Sequence, residues 1–318
     1  MQYVEKFIIA KLYQEASAKL YINFSGTNIV TVEYQLSSST ARQTMNLASF
    51  KRTAIHNIRI SAACQNTEGI AEGLVIPRAL MELADIQPFE QIVVTNSKGK
   101  NWDNRVYSFV IPGDTEHIEA RGSLTQFLEC GSLICIITRG FLVQDAEQAY
   151  LANELPLVDV GFCPGTNTSN CVEDAKVLLE YSDHKQEVDH IPESLLVRRG
   201  DYFSRSVLSN LICGLKVTAT HPDCLQGSAE LPEEIMRVAK LNRYRSVLVY
   251  NADEGGAAET YAVPMPPGVV MTTGAMAGFA PIGTTTNIAA YSVSNSKLIP
   301  TIVNVKNNSL ETTETINL

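Results

Sequence analysis

The chain has 318 residues, 45% hydrophobic and 19% charged, a globular balance with length for two ordinary domains. A net charge of −9 and a pI near 5.2 argue against nucleic acid or an anionic membrane surface as the main partner, because both need a basic face. The longest apolar run, Ser132 to Thr138, is too short to cross a bilayer, and the first residues lack the basic start and cleavage site of a secretory leader.

In chain order, β-branched runs predict short strands at His56–Ala62, Glu90–Asn96, Arg105–Pro112 and Leu133–Thr138, with Gly, Pro and Asn between them. A short helix is expected over Pro77–Ala84, since proline suits the first helical turn. Residues 143–194 read as an acidic connector. It holds a Gly/Pro/Asn-rich loop at Cys163–Cys171 and a strand or helix at Ala175–Tyr181. A second helix is expected over Pro232–Ala239, with Glu233 and Glu234 complementing its dipole. Asp253-Glu254-Gly255-Gly256 reads as a hairpin turn, and residues 306–318 as a polar, disordered tail.

These elements recur at a separation of about 155 residues. Pro77, Met81 and Asn96 answer Pro232, Met236 and Asn251 without a gap. Tyr107 before Pro112-Gly113 is matched to Tyr261 before Pro267-Gly268. Gly122–Gly131 answers Gly274–Gly283, each with Phe sixth and Gly tenth. Ile58-Arg59-Ile60 answers Leu215-Lys216-Val217, and weaker echoes pair Ser25 with Pro164 and Glu33-Tyr34 with Glu180-Tyr181. The ordered series is read as a tandem duplication: one β unit over 1–142, the connector, a second over 195–305, and the tail.

Seven cysteines, an odd number without a CxxC, read as reduced thiols in a cytoplasmic protein. His184, Asp189 and His190 lack strict ligand spacing and read as a solvated loop, so no metal is expected. His221, before Pro222-Asp223, is a candidate base that reads more simply as a turn residue. No charge occurs from Thr260 to Ser296, which suits a core and subunit interface or an apolar pocket.

The stretch Lys216 to Leu241 resembles the self-cleavage segment of bacterial aspartate α-decarboxylases, small pyruvoyl enzymes with a double-ψ β-barrel fold. Gly227-Ser228 matches the family's Gly-Ser, Thr260-Tyr261 its later Thr-Tyr pair, and Thr273-Gly274-Ala275 its Asn-Gly-Ala turn. The resemblance implies a mainly β protein of two tandem double-ψ β-barrels with short helices. It implies that the Ser228 hydroxyl attacks the Gly227 carbonyl, and that cleavage leaves a pyruvoyl cofactor whose ketone is the electron sink for decarboxylation. Thr260 would donate to the developing oxyanion, and Tyr261 would return a proton to the substrate. Thr273, Gly274 and Ala275 would bind substrate, and glycine at 227 would permit a strained turn.

Four family residues are replaced: the lysine of the first barrel strand falls near Leu211, the substrate-clamping arginine near Ala257, the turn asparagine at Thr273, and a tyrosine at Leu225. Without the arginine's bidentate clamp, aspartate is not the expected substrate. In the first repeat Glu72-Gly73 stands for Gly-Ser, Val106 for the threonine and Arg121 for Thr273, with Tyr107 kept; that repeat has no hydroxyl with which to mature. The reading is a self-processing, pyruvoyl-dependent decarboxylase of another amino acid or amine-bearing acid. A homo-oligomer, such as a dimer of tandem barrels, is expected, in which repeat 1 donates Lys51, Arg52, Arg105 or Arg121. The alternative is a non-processing double-ψ barrel that binds a small molecule, acts as a cofactor-free cyclase or isomerase, or regulates a true decarboxylase.

Overall fold

The structure is a computed structural model that describes residues 19–24, 29–35, 43–65, 69–96, 105–143, 155–162, 172–181, 183–224 and 227–314. It is mainly β. A hairpin of β1 (Lys19–Phe24) and β2 (Ile29–Gln35) leads into the first repeat. That repeat has β3 (Gln43–Arg59), β4 (Ala62–Cys64), β5 (Gly73–Pro77), α1 (Arg78–Leu83), β6 (Gln91–Asn96), β7 (Arg105–Gly113), β8 (Glu119–Arg121), a 3-10 turn (Gly122–Gln126) and β9 (Leu133–Val143). Next come β10 (Leu157–Gly161), β11 (Lys176–Glu180), β12 (Lys185–Val188) and α2 (Glu193–Tyr202). The second repeat has β13 (Ser204–Lys216), β14 (Ala219–His221), β15 (Ala229–Pro232), α3 (Glu233–Val238), β16 (Ser246–Asn251), β17 (Ala257–Met265), β18 (Met271–Thr273), α4 (Ala275–Phe279) and β19 (Thr285–Ser294), then β20 (Thr301–Lys306) and β21 (Ser309–Glu314).

The two repeats share pairing and backbone detail. Long strands β3 and β13 each pair with the repeat's last strand, and each slips register twice, once around Arg52 or Ser209 and again before Ile58 or Leu215. The parallel pair β4–β8 answers β14–β18, and β5, between β7 and β8, answers β15 between β17 and β18. Left-handed positions coincide as well: Asn57 with Gly214, Asp85 with Lys240, Phe89 with Tyr244, Gly122 with Gly274, and Gly131 with Gly283. A shared left-handed φ at five separated places is a stringent match, because such backbone is rare outside glycine. The landmark asparagines do the same work: Asn96 Nδ2 donates to Phe127 O and Asn251 Nδ2 to Phe279 O.

The registers correct one equivalence drawn from the sequence. Gln91 opposes Phe109, and Ser246 opposes Tyr261; Ile76 opposes Pro112, and Leu231 opposes Pro264. Thr260 and Tyr261 therefore correspond to Ser108 and Phe109, not Val106 and Tyr107, and Pro112 corresponds to Pro264, not Pro267. The Thr-Tyr pair slips by two residues, which keeps each side chain on its own face and so leaves the alternating pattern unchanged, and the proline slips by three. The helices begin one residue later than expected, with Pro77 and Pro232 as N-caps in extended backbone.

Residues 143–194 hold more than a connector. Strand β10 lies parallel to β3 and then pairs with β11, as β20 lies parallel to β13 and pairs with β21. Val158, Val160, Phe162, Val177 and Leu179 are buried in the first repeat's core, as Val303 and Val305 are in the second's. Apolar burial on that scale explains why these segments pack rather than dangle. The expected disordered tail contains β21, and Ala175–Tyr181 forms a strand rather than a helix. The Ser25 and Pro164 echoes lie outside the described residues.

A third apolar cluster joins the repeats: Val75, Phe89, Phe109 and Ile111 meet Val207, Leu208, Leu211, Tyr250, Tyr291 and Ile302. Leu211 is fully buried there, so a lysine at this place would leave its ammonium without water. Beside the cluster lies a buried ionic knot. Asp85 takes Arg52 at 2.7 Å, Arg199 at 3.0 Å and Arg205 at 2.6 Å, while Glu90 takes Arg52 at 2.6 Å and Arg205 at 3.1 Å. It fastens repeat 1, α2 and β13 together, and it engages Arg52 within its own chain, contrary to the expectation that Arg52 is available for donation.

Candidate active site

Strand β15 opens the second repeat's site. Gly227 precedes it, and Ser228 reaches β18 through Thr273, whose N donates to Ser228 O at 3.1 Å. Two side-chain contacts fix the Gly227-Ser228 unit. Thr260 Oγ1 donates to Gly227 O at 2.7 Å, and Ser228 N donates to Thr273 Oγ1 at 2.9 Å. The carbonyl that a nucleophile would attack is thus already polarised by a hydroxyl. Ser228 Oγ lies 2.8 Å from Thr273 Oγ1 and donates to Glu230 Oε1 at 3.2 Å.

Strand geometry explains which residues converge. Successive side chains alternate faces, so Thr260 and Ala262 of β17 turn inward while Glu259 and Tyr261 turn outward. Tyr261 is 36% exposed on the face opposite Thr260. Gly274, with φ 54°, donates its N–H to His221 O at 3.0 Å, which seats the Thr273-Gly274 turn over β14. Ala275 opens α4 with an exposed side chain, and the His221 side chain is exposed. Leu225 and Gln226, which lead into the turn expected at Gly227, lie outside the described residues, and Gly227 itself carries no left-handed strain. Its φ is not left-handed, and a Cβ there would make ordinary contacts with Thr273 O at 3.5 Å and Met276 Cγ at 3.6 Å.

In the first repeat the matching place is filled. Glu72, fully buried, accepts from Ser123 N at 3.0 Å, Ser123 Oγ at 2.7 Å and Asn287 Nδ2 of the second repeat at 2.9 Å. Burial pushes its carboxyl from the ordinary 4.5 up to about 7, although these donors and the Gly73 amide pull the other way. A cleft of about 430 Å³ opens beside it, lined in part by Gly122, Cys213, Gly214, Asn287 and Asn304. Ser108, at the position of Thr260, is buried with an unpartnered hydroxyl. Arg121 bonds Glu119 and Ile70 O.

The aspartate decarboxylase family model matches residues 45–159 and again residues 203–311. This chain belongs to the aspartate decarboxylase family, with the family unit present twice. An aspartate 1-decarboxylase from Haloquadratum walsbyi is 27% identical over 97 residues, which cover 30% of this chain and 79% of that protein. Each family match runs past β9 or β19 into β10 or β20, in keeping with the buried extension strands.

Glu230 is the site residue that sequence reasoning missed. The family pattern directs attention to Gly-Ser, while strand alternation alone places residue 230 on the face of Ser228. His184 bonds Asp183 at 2.7 Å and stacks on Tyr181, and no cluster of three metal-ligating side chains occurs among the described residues. No described helix is long and apolar enough to cross a membrane.

Proposed function

We propose that this chain folds as two double-ψ barrels, cleaves itself between Gly227 and Ser228, and decarboxylates an amine-bearing acid other than aspartate. The observation that carries the reading is the 2.7 Å hydrogen bond from Thr260 Oγ1 to Gly227 O. With Ser228 Oγ held between Thr273 and Glu230, the residues present fit the making of a pyruvoyl group. Such a group supplies an electrophilic ketone as electron sink. Thr260 keeps the acyl oxygen polarised, while Thr273 and Gly274 shape the turn beside it. Ala257 offers no clamp for a second carboxylate, and Glu230 adds negative charge close to Ser228, so a substrate without an acidic side chain is favoured.

The repeats also suggest how the site is covered. The second repeat caps Glu72 with Asn287 beside Gly214 and Cys213. By the registers, the first repeat's equivalents are Cys135, Asn57 and His56, a face with partly exposed side chains. A second copy laying that face over Ser228 would give a homodimer of tandem barrels.

Intact mass after prolonged warming tests the reading. Self-cleavage gives fragments 1–227 and 228–318, the second lacking a free amino terminus. A chain that stays whole supports instead a non-processing barrel that binds a small molecule or regulates a decarboxylase, a reading favoured by buried Leu211 where the family has lysine.

A further inference from the structure

We propose that Glu230 is the proton acceptor for Ser228 during self-cleavage, a role that rests on the cleavage reading above. Ser228 stands immediately before β15 and Glu230 is the second residue of that strand, and the hydroxyl donates to Glu230 Oε1 at 3.2 Å. A serine hydroxyl is a weak nucleophile until a base takes its proton, and a carboxylate within hydrogen-bond reach is such a base.

The comparison of repeats sharpens this. Glu230 corresponds to Val75, since both lie one place beyond the Leu74/Ala229 pair in matched strands. The repeat with Gly73 in place of serine has valine here; the repeat that keeps Ser228 has a carboxylate. Val75 packs in the inter-repeat cluster, whereas Glu230 is half-buried beside a hydroxyl. A chain of contacts therefore exists only in the second repeat. It runs from Glu230 to Ser228 Oγ, on to Thr273 Oγ1 at 2.8 Å, and back to Ser228 N at 2.9 Å.

That loop supplies both ends of the proton transfer. The bond from Ser228 Oγ to the Gly227 carbonyl carbon forms, and the Gly227–Ser228 C–N bond breaks. The proton leaving Oγ passes to Glu230 and ends on the departing Ser228 nitrogen, so the acyl shift is an isomerisation with no net gain or loss. Thr273 acts as a positioning residue, because it contacts both the attacking oxygen and the leaving nitrogen. Thr260 holds the carbonyl oxygen.

The experiment follows cleavage of the purified full chain by intact mass, during warming and separately in neutral hydroxylamine, which traps the ester at Gly227. Wild type, Glu230→Gln, Glu230→Asp and Ser228→Ala are compared, with thermal melts to confirm folding. Glu230→Gln should slow both readouts by about 100-fold, the usual scale of a lost general base. Glu230→Asp should recover part of the rate, and Ser228→Ala should show none. Equal rates for wild type and a folded Glu230→Gln overturn the role of Glu230 and leave the cleavage reading standing. A wild-type chain that stays whole in both conditions overturns the cleavage reading, and this role with it.

Discussion

Glu72 of the first repeat and Asn287 of the second meet in a buried 2.9 Å hydrogen bond, at the place where the second repeat has Gly227. The two repeats have thus put one structural position to opposite uses. In the first, a carboxyl fills the site and ties the halves together. In the second, a glycine carbonyl is presented to Thr260 and a serine hydroxyl is left next to a carboxylate.

The Glu72 contact has a measurable pH signature. Its carboxyl sits at about 7 in the folded protein against an ordinary 4.5. Below about 4.5 both folded and unfolded chains hold the proton. As pH rises to 7 the unfolded chain ionises more readily, so this group lowers stability by about 3 kcal/mol in total, at 1.36 kcal/mol per unit. Urea unfolding of wild type and Glu72→Gln at pH 5 and pH 8 should show the difference between the two proteins moving in favour of the glutamine as pH rises. A difference that does not vary with pH would count against this account.

Asp85 should be a costly carboxylate to remove. Burial alone would raise its pKa, but Arg52, Arg205 and Arg199 outweigh that and hold it at about 2, below the ordinary 3.8. Its stabilising contribution is present above about 3.8 and is lost as pH falls toward 2. Asp85→Ala leaves three buried guanidinium groups short of a partner and should cost about 3–5 kcal/mol. Because Arg199 and Arg205 lie on α2 and β13, the loss should loosen the second repeat's attachment, seen as faster amide exchange at the β9–β13 contact.

Much of this was legible in the sequence, and the remainder was hidden for identifiable reasons. The duplication was readable because its landmarks have fixed jobs: Asn96 and Asn251 cap the same turns, and Gly122 and Gly274 hold the same left-handed backbone. The Gly227–Thr260 contact followed from the family pattern. The Ser108–Thr260 equivalence did not, because a two-residue slip along a strand preserves the alternation that sequence reading relies on. Strand β10 was missed, and the segment of β11 was left open between strand and helix, because the polar stretches flanking them masked short apolar runs. The ionic knot joins residues far apart in the chain, such as Arg52 and Arg199, which no local spacing announces.

Thr260 offers a direct check on the role proposed for the Gly227 carbonyl. Thr260→Val keeps the shape and removes the donor at 2.7 Å from Gly227 O. Removing one donor of this kind costs on the order of 100-fold in rate. Fragment formation on warming should fall by that amount, while Thr260→Ser should retain most of it. Fragments appearing from Thr260→Val at the wild-type rate would remove this hydroxyl from the proposed chemistry.

His56 should be charged at neutral pH. Hydrogen bonds with Asp159 and Cys135 raise its pKa from 6.5 to about 9, against the lowering effect of partial burial. Asp159 of β10 approaches His56 Nε2 at 3.5 Å and also accepts from Lys51 of β3, while Cys135 of β9 meets Nδ1 at 3.3 Å. The raised value means that the imidazolium supports the fold fully below about 6.5 and ceases to do so as pH passes 9. An NMR titration should place the His56 resonance near 9, and Asp159→Asn should bring it back toward 6.5. This face corresponds to the one that covers Glu72 in the same chain, and Glu230 would meet its positive charge in a dimer. Self-association measured by sedimentation should then weaken above pH 9 and in His56→Asn at neutral pH. Association unaffected by both changes would direct the search for the dimer contact to another face.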